Sequence, residues 1–360
     1  MSAPVPDDAA RARALAGAVD AQRDRILDVT RFVNRHPELA HEEFECSRHI
    51  AGALATALDV ETTLTGMATG FRATLAGASP GLTVALVAVY DAVGMPDGAG
   101  TLRAVHSCGH GPVSGAVVGA ALALASQRES FAGTLAVLGC PADELVSPLA
   151  IRRGSGKALA LERGGWAGID YALYAHPESL TGVWRSSRWM RLFAVTVPGD
   201  ADPASWGLPA DRYRVDELTR AGQDTEVTLR VLGDDAEEIR KRAEDARAAL
   251  SPRSWTPLGL TEGLTADDRV AAAAERSLST LGIPFDPQTP RMPFSTDFGN
   301  VSRRVPAAMI GFSRPGPEGW AVHLDQGEEQ FLSDEGETLA LTMSGALAVA
   351  ADRLTRSTAV

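Results

Sequence analysis

LTVALVAVYDA, residues 82–92, decides how this chain is read. From Leu82 to Tyr90 it is apolar but for Thr83 and does not alternate, which is the pattern of a short strand covered on both faces. An acid, Asp91, stands at its end. The residues after Pro112 form an Ala/Gly-rich segment that reads as a tightly packed helix with the proline near its first turn. GTLAVLGC (Gly133–Cys140) repeats the strand pattern, Lys157–Arg163 reads as a helix, and IDYALYA (Ile169–Ala175) as another strand. Strands alternating with helices specify an α/β fold, a mostly parallel sheet with helices on both faces.

Working toward the N-terminus, Leu15, Val19, Ile26, Val29 and Val33 fall at spacings compatible with one apolar helical stripe. A further helix follows the Pro37 break, with Phe44, Ile50, Leu54 and Leu58 inward. Toward the C-terminus the pattern changes near Ser187. RLFAVTV (Arg191–Val197) and TEVTLRVL (Thr225–Leu232) alternate like half-exposed strands. A charged helix, Asp234–Leu250, follows the second. Between the strands, GDADPASWGLPADRYR (199–214) has no periodicity. These features predict a small α+β domain inserted into a larger one, dividing the chain into 1–187, 188–252 and 253–360. Ser251–Leu260 reads as the link back. The larger domain resumes with a helix at Asp267–Leu281, a strand at Ala307–Phe312 and a last helix from Ser333 to Arg353.

A formal net charge of −12 argues against a nucleic-acid partner, which requires clustered Lys and Arg. No apolar run approaches the roughly 20 residues that cross a bilayer, so no membrane span is expected. The opening residues, with Asp7 and Asp8, lack the apolar core of a signal peptide. With only Cys46, Cys108 and Cys140, the chain has no disulfide framework, and a cytoplasmic location is expected.

Four short motifs concentrate the chemistry. HSCGHG places Cys108 and His110 just before a helix, and a thiolate with an imidazole suits Zn²⁺ or a similar borderline ion. GCPADE ends a strand with adjacent Asp143 and Glu144, so that one carboxylate can ligate while the other moves protons. YAHPE carries His176, and WAVHLDQGEE carries His323. Singly, each has a bland alternative, since Cys/His pairs are commonly structural and adjacent acids commonly solvated.

Taken together with RHPELAHEEFE (Arg35–Glu45), YDA (Tyr90–Ala92) and FSTDFGNVSRRVPAAMIGF (Phe294–Phe312), they resemble the M20 peptidase family over nearly the whole chain. The resemblance is to the branch of p-aminobenzoyl-glutamate hydrolase and dipeptidase-like amidohydrolases. It implies a dinuclear metal site with ligands Cys108, His110, Glu144, His176 and His323. Asp143 would stand as the general base and Asp91 as an acid orienting a ligating imidazole. Ser295, Thr296, Asp297 and Asn300 would line the substrate pocket. The implied cofactors are two divalent metal ions, Zn first, with Mn or Co as alternatives. The implied reaction is hydrolysis of an amide bond in a small N-acyl amino acid, aminoacyl amide or dipeptide-like substrate. His36 and His106 lie in matching motifs with supporting roles. His41 and His49 read as surface residues of an exposed helix, and Cys46 and Cys140 as small buried hydrophobes.

Two departures from the family stand out. The base position normally holds Glu, and Asp143 is one methylene shorter. The lid is short, and no histidine lies between His176 and His323 to stabilise the oxyanion; Arg188, Arg212 and Arg214 are the substitutes the lid offers. The family's lid-mediated dimer is therefore not expected, leaving a monomer or a dimer not formed through the lid. These departures keep two alternatives in view. One is an enzyme repurposed to form, cyclise or transfer an amide or acyl group. The other is a non-catalytic metal-binding homologue.

Overall fold

The computed structural model describes residues 8–98 and 101–357. The first seven residues, part of the stretch read as lacking a signal peptide, lie outside the described residues. The chain opens with helices α1 (Asp8–Asp20), α2 (Arg23–Arg35) and α3 (Phe44–Leu54). Strands β1 (Asp59–Thr62), β2 (Phe71–Ala76), β3 (Ser79–Ala88), β4 (Val93–Pro96) and β5 (Leu102–Val105) follow, then α4 (His110–Ser126). Next come β6 (Ala132–Gly139), α5 (Pro148–Arg153), α6 (Gly156–Glu162), β7 (Tyr171–Pro177) and β8 (Gly182–Trp184). The lid contains β9 (Trp189–Pro198), β10 (Tyr213–Ala221), β11 (Asp224–Gly233), α7 (Ala236–Leu250) and β12 (Ser254–Thr261). The chain returns through α8 (Asp268–Thr280), α9 (Phe298–Ser302), β13 (Ala307–Phe312), α10 (Asp325–Leu332) and α11 (Asp334–Thr355).

The main sheet has seven strands in the order β1-β2-β6-β3-β7-β13-β8. Its central junctions, β6–β3, β3–β7 and β7–β13, are parallel, and the outer ones antiparallel. This mixed sheet flanked by helices is the α/β architecture expected. Val84 to Tyr90 are fully buried, as the unbroken apolar run requires. The glycines of α4 have a packing reason, because α2 lies against them. A Cβ at Gly111 would sit 2.1 Å from Asn34 Oδ1, and one at Gly115 would sit 2.1 Å from Thr30 Oγ1. Glycine at i and i+4 therefore lets the two helices touch through backbone rather than side chains.

Several expectations need correction. The single N-terminal stripe is two helices, broken at Ala21 and Gln22, although Leu15 through Val33 share one core. Phe44 is 49% exposed rather than inward, because it opens α3 on the solvent side. His41 is not on an exposed helix. It is buried in the turn before α3 at φ 68°, with Nε2 2.8 Å from Gly154 O. Ser251–Leu260 is not merely a link: it contains most of β12, which pairs antiparallel with β9 and extends the lid sheet to Thr261. The aperiodic 199–214 connection ends in β10, an alternation hidden by its charged residues.

The lid sheet runs β10-β11-β9-β12, all antiparallel. This is the strand order of a βαββαβ unit. Here the first helix is reduced to a loop with one 3-10 turn, Pro203–Trp206, leaving α7 as the only full helix on the sheet among the described residues. Alternation along β9 divides its contacts. Phe193, Val195 and Val197 pack toward α7, while Met190 and Leu192 cluster with Leu145, Ala150 and Ile151 of the main domain.

Candidate metal centre

The chemistry-bearing residues converge at the C-terminal ends of the parallel strands, where α/β sheets open their crevice. Asp91 follows β3, Asp143 and Glu144 follow β6, His176 lies near the end of β7, and His110 starts α4. His323 joins them from the turn before α10. There it adopts φ 61°, and its backbone N–H donates to Ser107 O at 2.9 Å.

The Asp143–Glu144 loop is shaped by a buried acid that the motifs do not single out. Glu43 Oε1 accepts from His41 N at 2.7 Å and Ala142 N at 2.9 Å, while Thr69 Oγ1 donates to Oε2 at 2.7 Å. Ala142 is thereby held at φ 55°, a left-handed turn that aims the next two side chains inward. Burial and the neighbouring Asp91 charge push the Glu43 carboxyl up to about 8.

The five expected ligands face one another. Cys108 Sγ is 3.5 Å from His176 Nε2 and 3.2 Å from His323 Nε2. Glu144 Oε1 is 2.9 Å from His323 Nε2 and 3.8 Å from His110 Nε2. These atoms form two three-residue groups able to hold an ion, Cys108–His110–His176 and Cys108–Glu144–His323, with the thiol common to both. Tetrahedral Zn²⁺ with bonds of about 2.0–2.3 Å sets its donor atoms about 3.3–3.8 Å apart, which the 3.5 Å Cys108–His176 and 3.8 Å Glu144–His110 separations match, while the two His323 contacts are shorter.

The imidazoles are turned for ligation. His110 Nδ1 donates to Asp91 O at 2.6 Å and lies 3.2 Å from Asp91 Oδ1, leaving its buried Nε2 without a hydrogen-bond partner. His176 Nδ1 donates to Pro177 O at 2.9 Å and lies 3.2 Å from Glu178 Oε1. A carbonyl oxygen can only accept, so each Nδ1 carries the proton and each Nε2 is directed into the site. Asp91 Oδ2 also accepts from Glu144 N at 2.8 Å. One acid thus orients two of the expected ligands. Glu178, two residues after His176 in the YAHPE motif, was missed although the motif itself displays it.

The cluster is internally charged. Burial would raise the Glu144 carboxyl, but His323 and His110 outweigh it and hold it at about 2. Burial and the Glu144 charge push the Cys108 thiol up, yet the surrounding histidines bring it down to about 7. His323 is raised to about 11, chiefly by Glu144. Thiolate and carboxylate are the forms a cation binds, and a divalent ion would displace the imidazole protons.

Asp143 stands at the rim of this cluster, its Oδ2 3.5 Å from His110 Nε2. Lys157 Nζ donates to Asp143 Oδ1, and to Asp297 Oδ1 at 2.7 Å. Tyr174 OH donates to Asp143 Oδ2 at 3.1 Å. Burial opposes ionisation of Asp143, but the Lys157 and His110 charges overcome it and hold the carboxyl well below its usual range. Lys157 carried no signal at the level of motif, and Tyr174, though it opens YAHPE, was passed over there.

The four residues expected to line a substrate pocket have different surroundings. Asp297 is buried against Lys157, whose backbone N also donates to its Oδ2 at 3.1 Å. Asn300 accepts from Glu262 N and donates to Leu260 O, both at 3.0 Å, tying the end of the lid. Thr296 Oγ1 accepts from Phe298 N at 3.3 Å, and Ser295 is partly exposed. The arginines considered as oxyanion donors are engaged within the lid. Arg188 donates to Asp211 O at 2.9 Å, Arg212 pairs with Asp211, and Arg214 pairs with Asp216.

The chain is similar over part of its length to curated proteins. It is 29% identical over 231 residues to one of the subunits of p-aminobenzoyl-glutamate hydrolase from Escherichia coli K12, covering 60% of this chain and 44% of that protein. It is 30% identical over 158 residues to N-acetyl-L-cysteine deacetylase of Bacillus subtilis, covering 42% of this chain and 36% of that protein. The chain thus spans less than half of either relative. Its fold matches a Bacillus subtilis dinuclear metal-binding peptidase of the M20 family with a TM-score of 0.62 at 23% identity, covering 92% of this chain and 98% of that one. It also matches an aminobenzoyl-glutamate utilization protein from Klebsiella pneumoniae with a TM-score of 0.67 at 13% identity, covering 93% and 98%. No helix among the described residues is long and apolar enough to cross a membrane. The model of peptidase family M20/M25/M40 matches residues 90–343, more than half of the sequence and every motif from Asp91 to His323, and the chain belongs to that family.

Proposed function

We propose that this protein is a metal-dependent amidohydrolase that cleaves an amide bond in a small N-acyl amino acid, aminoacyl amide or dipeptide-like substrate. The observation that carries the reading is the convergence of Cys108, His110, Glu144, His176 and His323, with an ionised Asp143 beside them. The donor set suits two divalent ions, Zn²⁺ first because of the thiolate, with Mn²⁺ or Co²⁺ as alternatives. Bound there, the ions would supply acidity for water and polarise the scissile carbonyl.

The remaining work falls to the chain. Asp143 accepts a proton at Oδ2, the oxygen facing the cluster, and returns it to the departing nitrogen. Lys157 and Tyr174 fix the carboxylate's direction, which matters because proton transfer is sensitive to sub-ångström placement. Asp91 and Glu178 hold two ligating rings in the tautomer that leaves Nε2 free.

The test is to load the protein with Zn²⁺, Mn²⁺ or Co²⁺ and follow release of free amine from a panel of N-acyl amino acids, aminoacyl aromatic amides and dipeptides. Wild type should release amine and Asp143→Asn should not, at equal metal content. A loaded protein that cleaves none of the panel, but joins amine and acyl donors, would favour the repurposed alternative.

A further inference from the structure

Resting on the metal reading above, we propose that Lys157, assisted by Tyr174, is a positioning residue that keeps Asp143 out of the metal coordination sphere. The carboxylate next in sequence to a ligand is thereby kept free to act as a base.

Three observations lead there. Asp143 is close enough to ligate, because His110, Asp143 and Glu144 form a third group whose donor atoms could hold an ion. Both of its oxygens are nonetheless claimed from the side, Oδ1 by Lys157 Nζ and Oδ2 by Tyr174 OH. Lys157 cannot follow Asp143 toward an ion. Its side chain is fully buried, and Asp297 grips it twice, at Nζ and at the backbone N.

A carboxylate as largely buried as Asp143, 14% exposed, is strongly favoured to keep a cationic or hydrogen-bonding partner. With Lys157 present, that partner is an ammonium. Remove it, and the nearest positive charge on offer is the metal, for which a carboxylate oxygen is an ordinary ligand. An Asp that ligates has surrendered the lone pair that would take a proton. The short side chain makes the restraint more consequential, since Asp143 has one rotatable bond fewer than Glu with which to back away.

The readout is the visible absorption of the Co²⁺-loaded protein, which weakens as coordination number rises, together with Co²⁺ affinity by calorimetry. Asp143→Asn in the otherwise wild-type protein should leave the spectrum unchanged, because Asp143 is not a ligand. Lys157→Met should weaken the absorption and tighten Co²⁺ binding by roughly tenfold, the size of effect that neighbouring groups exert on metal sites. The double variant Asp143→Asn/Lys157→Met should recover the wild-type spectrum, a reversal that a merely structural lysine would not produce. Tyr174→Phe, which deletes one hydroxyl, should shift the spectrum the same way by less. If Lys157→Met does not fold, the Asp143→Asn and Tyr174→Phe arms decide. A changed spectrum in Asp143→Asn, an unchanged one in folded Lys157→Met, a double variant that does not revert, or, where Lys157→Met does not fold, an unchanged spectrum in Tyr174→Phe overturns the inference while leaving the metal reading intact. A wild-type protein that takes up no Co²⁺ overturns both.

Discussion

Asp91→Asn isolates what the buried acid contributes to metal affinity. The carboxylate touches two of the proposed ligands: Oδ1 lies 3.2 Å from His110 Nδ1, and Oδ2 accepts from Glu144 N at 2.8 Å. An asparagine has one carbonyl oxygen. Keeping the Glu144 bond turns its NH₂ against the protonated Nδ1 of His110, two donors facing each other. The tautomer is not lost, because His110 still donates to the Asp91 backbone carbonyl at 2.6 Å. Groups that orient metal-bound histidines typically influence affinity by about 10–100-fold. With the backbone bond retained, the lower end is expected, about tenfold or about 1.4 kcal/mol. Asp91→Ala should do more, since it also strands the buried Glu144 N–H, at a cost to folding stability of about 1–3 kcal/mol. Competition against a chromophoric chelator near neutral pH measures the first effect, and urea unfolding of the metal-free protein the second. An Asn variant that binds metal as tightly as wild type would show that the backbone carbonyl alone orients the ring.

Metal uptake should release about three protons near neutral pH, because His110, His176 and His323 are all held protonated before a cation arrives. Burial works against the charge on His176 but the Cys108 thiolate outweighs it, raising the ring to about 10; His323, raised mainly by Glu144, stands at about 11. Affinity therefore climbs with pH below those values, and calorimetry in two buffers of different ionisation heat should detect the release; none would contradict the assignment. Glu43→Gln should gain stability relative to wild type as pH rises. The folded carboxyl, lifted to about 8 by burial and Asp91, keeps a proton that the unfolded chain gives up near its ordinary value, so wild type weakens across that window and a glutamine does not. Thermal melts at several pH values would show the two curves diverging. Gly115→Ala should cost about 1–3 kcal/mol, since its Cβ would meet Thr30 Oγ1 at 2.1 Å and Ile26 O at 2.8 Å. An unchanged Tm would mean that α2 and α4 separate freely. The protein should scatter light as a monomer or associate away from the lid, because Trp206, Leu208 and Tyr213 pack into the lid's own core. A dimer broken by charge substitutions in the lid would refute this.

Most of the main domain was legible because its strands are buried on both faces. A run such as Val84–Tyr90 has no competing reading once Asp91 and the glycine-rich helix bracket it. The lid was read less well for a physical reason. β10 carries Arg214, Asp216, Glu217 and Arg220 on a largely solvated edge, and β12 contains Pro257, which breaks the register of its pairing with β9. Edge strands need no apolar alternation to hold their place. At the site, the fold brings together the residues whose type alone suggests metal chemistry; of those that work by position, Asp91 was read from its motif, and Glu43, Lys157, Tyr174 and Glu178 were not. Glu43 looks like one acid among several, and Lys157 like any helix lysine, until the fold buries each against its partners.

The short helix α9 has a mechanical consequence. At its start Asp297 grips Lys157, and within it Asn300 binds both Leu260 O and Glu262 N where the chain leaves the lid. Arg303, just past its end, donates to Gly263 O at 2.8 Å. The two crossings between domains are also laced together, Leu264 N donating to Ser187 Oγ at 2.8 Å, and the first is tied to the main domain by Arg188 N donating to Phe294 O at 3.1 Å. Such a junction resists free swinging and behaves as a lever. A load that tilts the lid, whether from a bulky ligand or from thermal motion, is delivered through one turn and a half of helix to the same aspartate that grips the lysine behind Asp143.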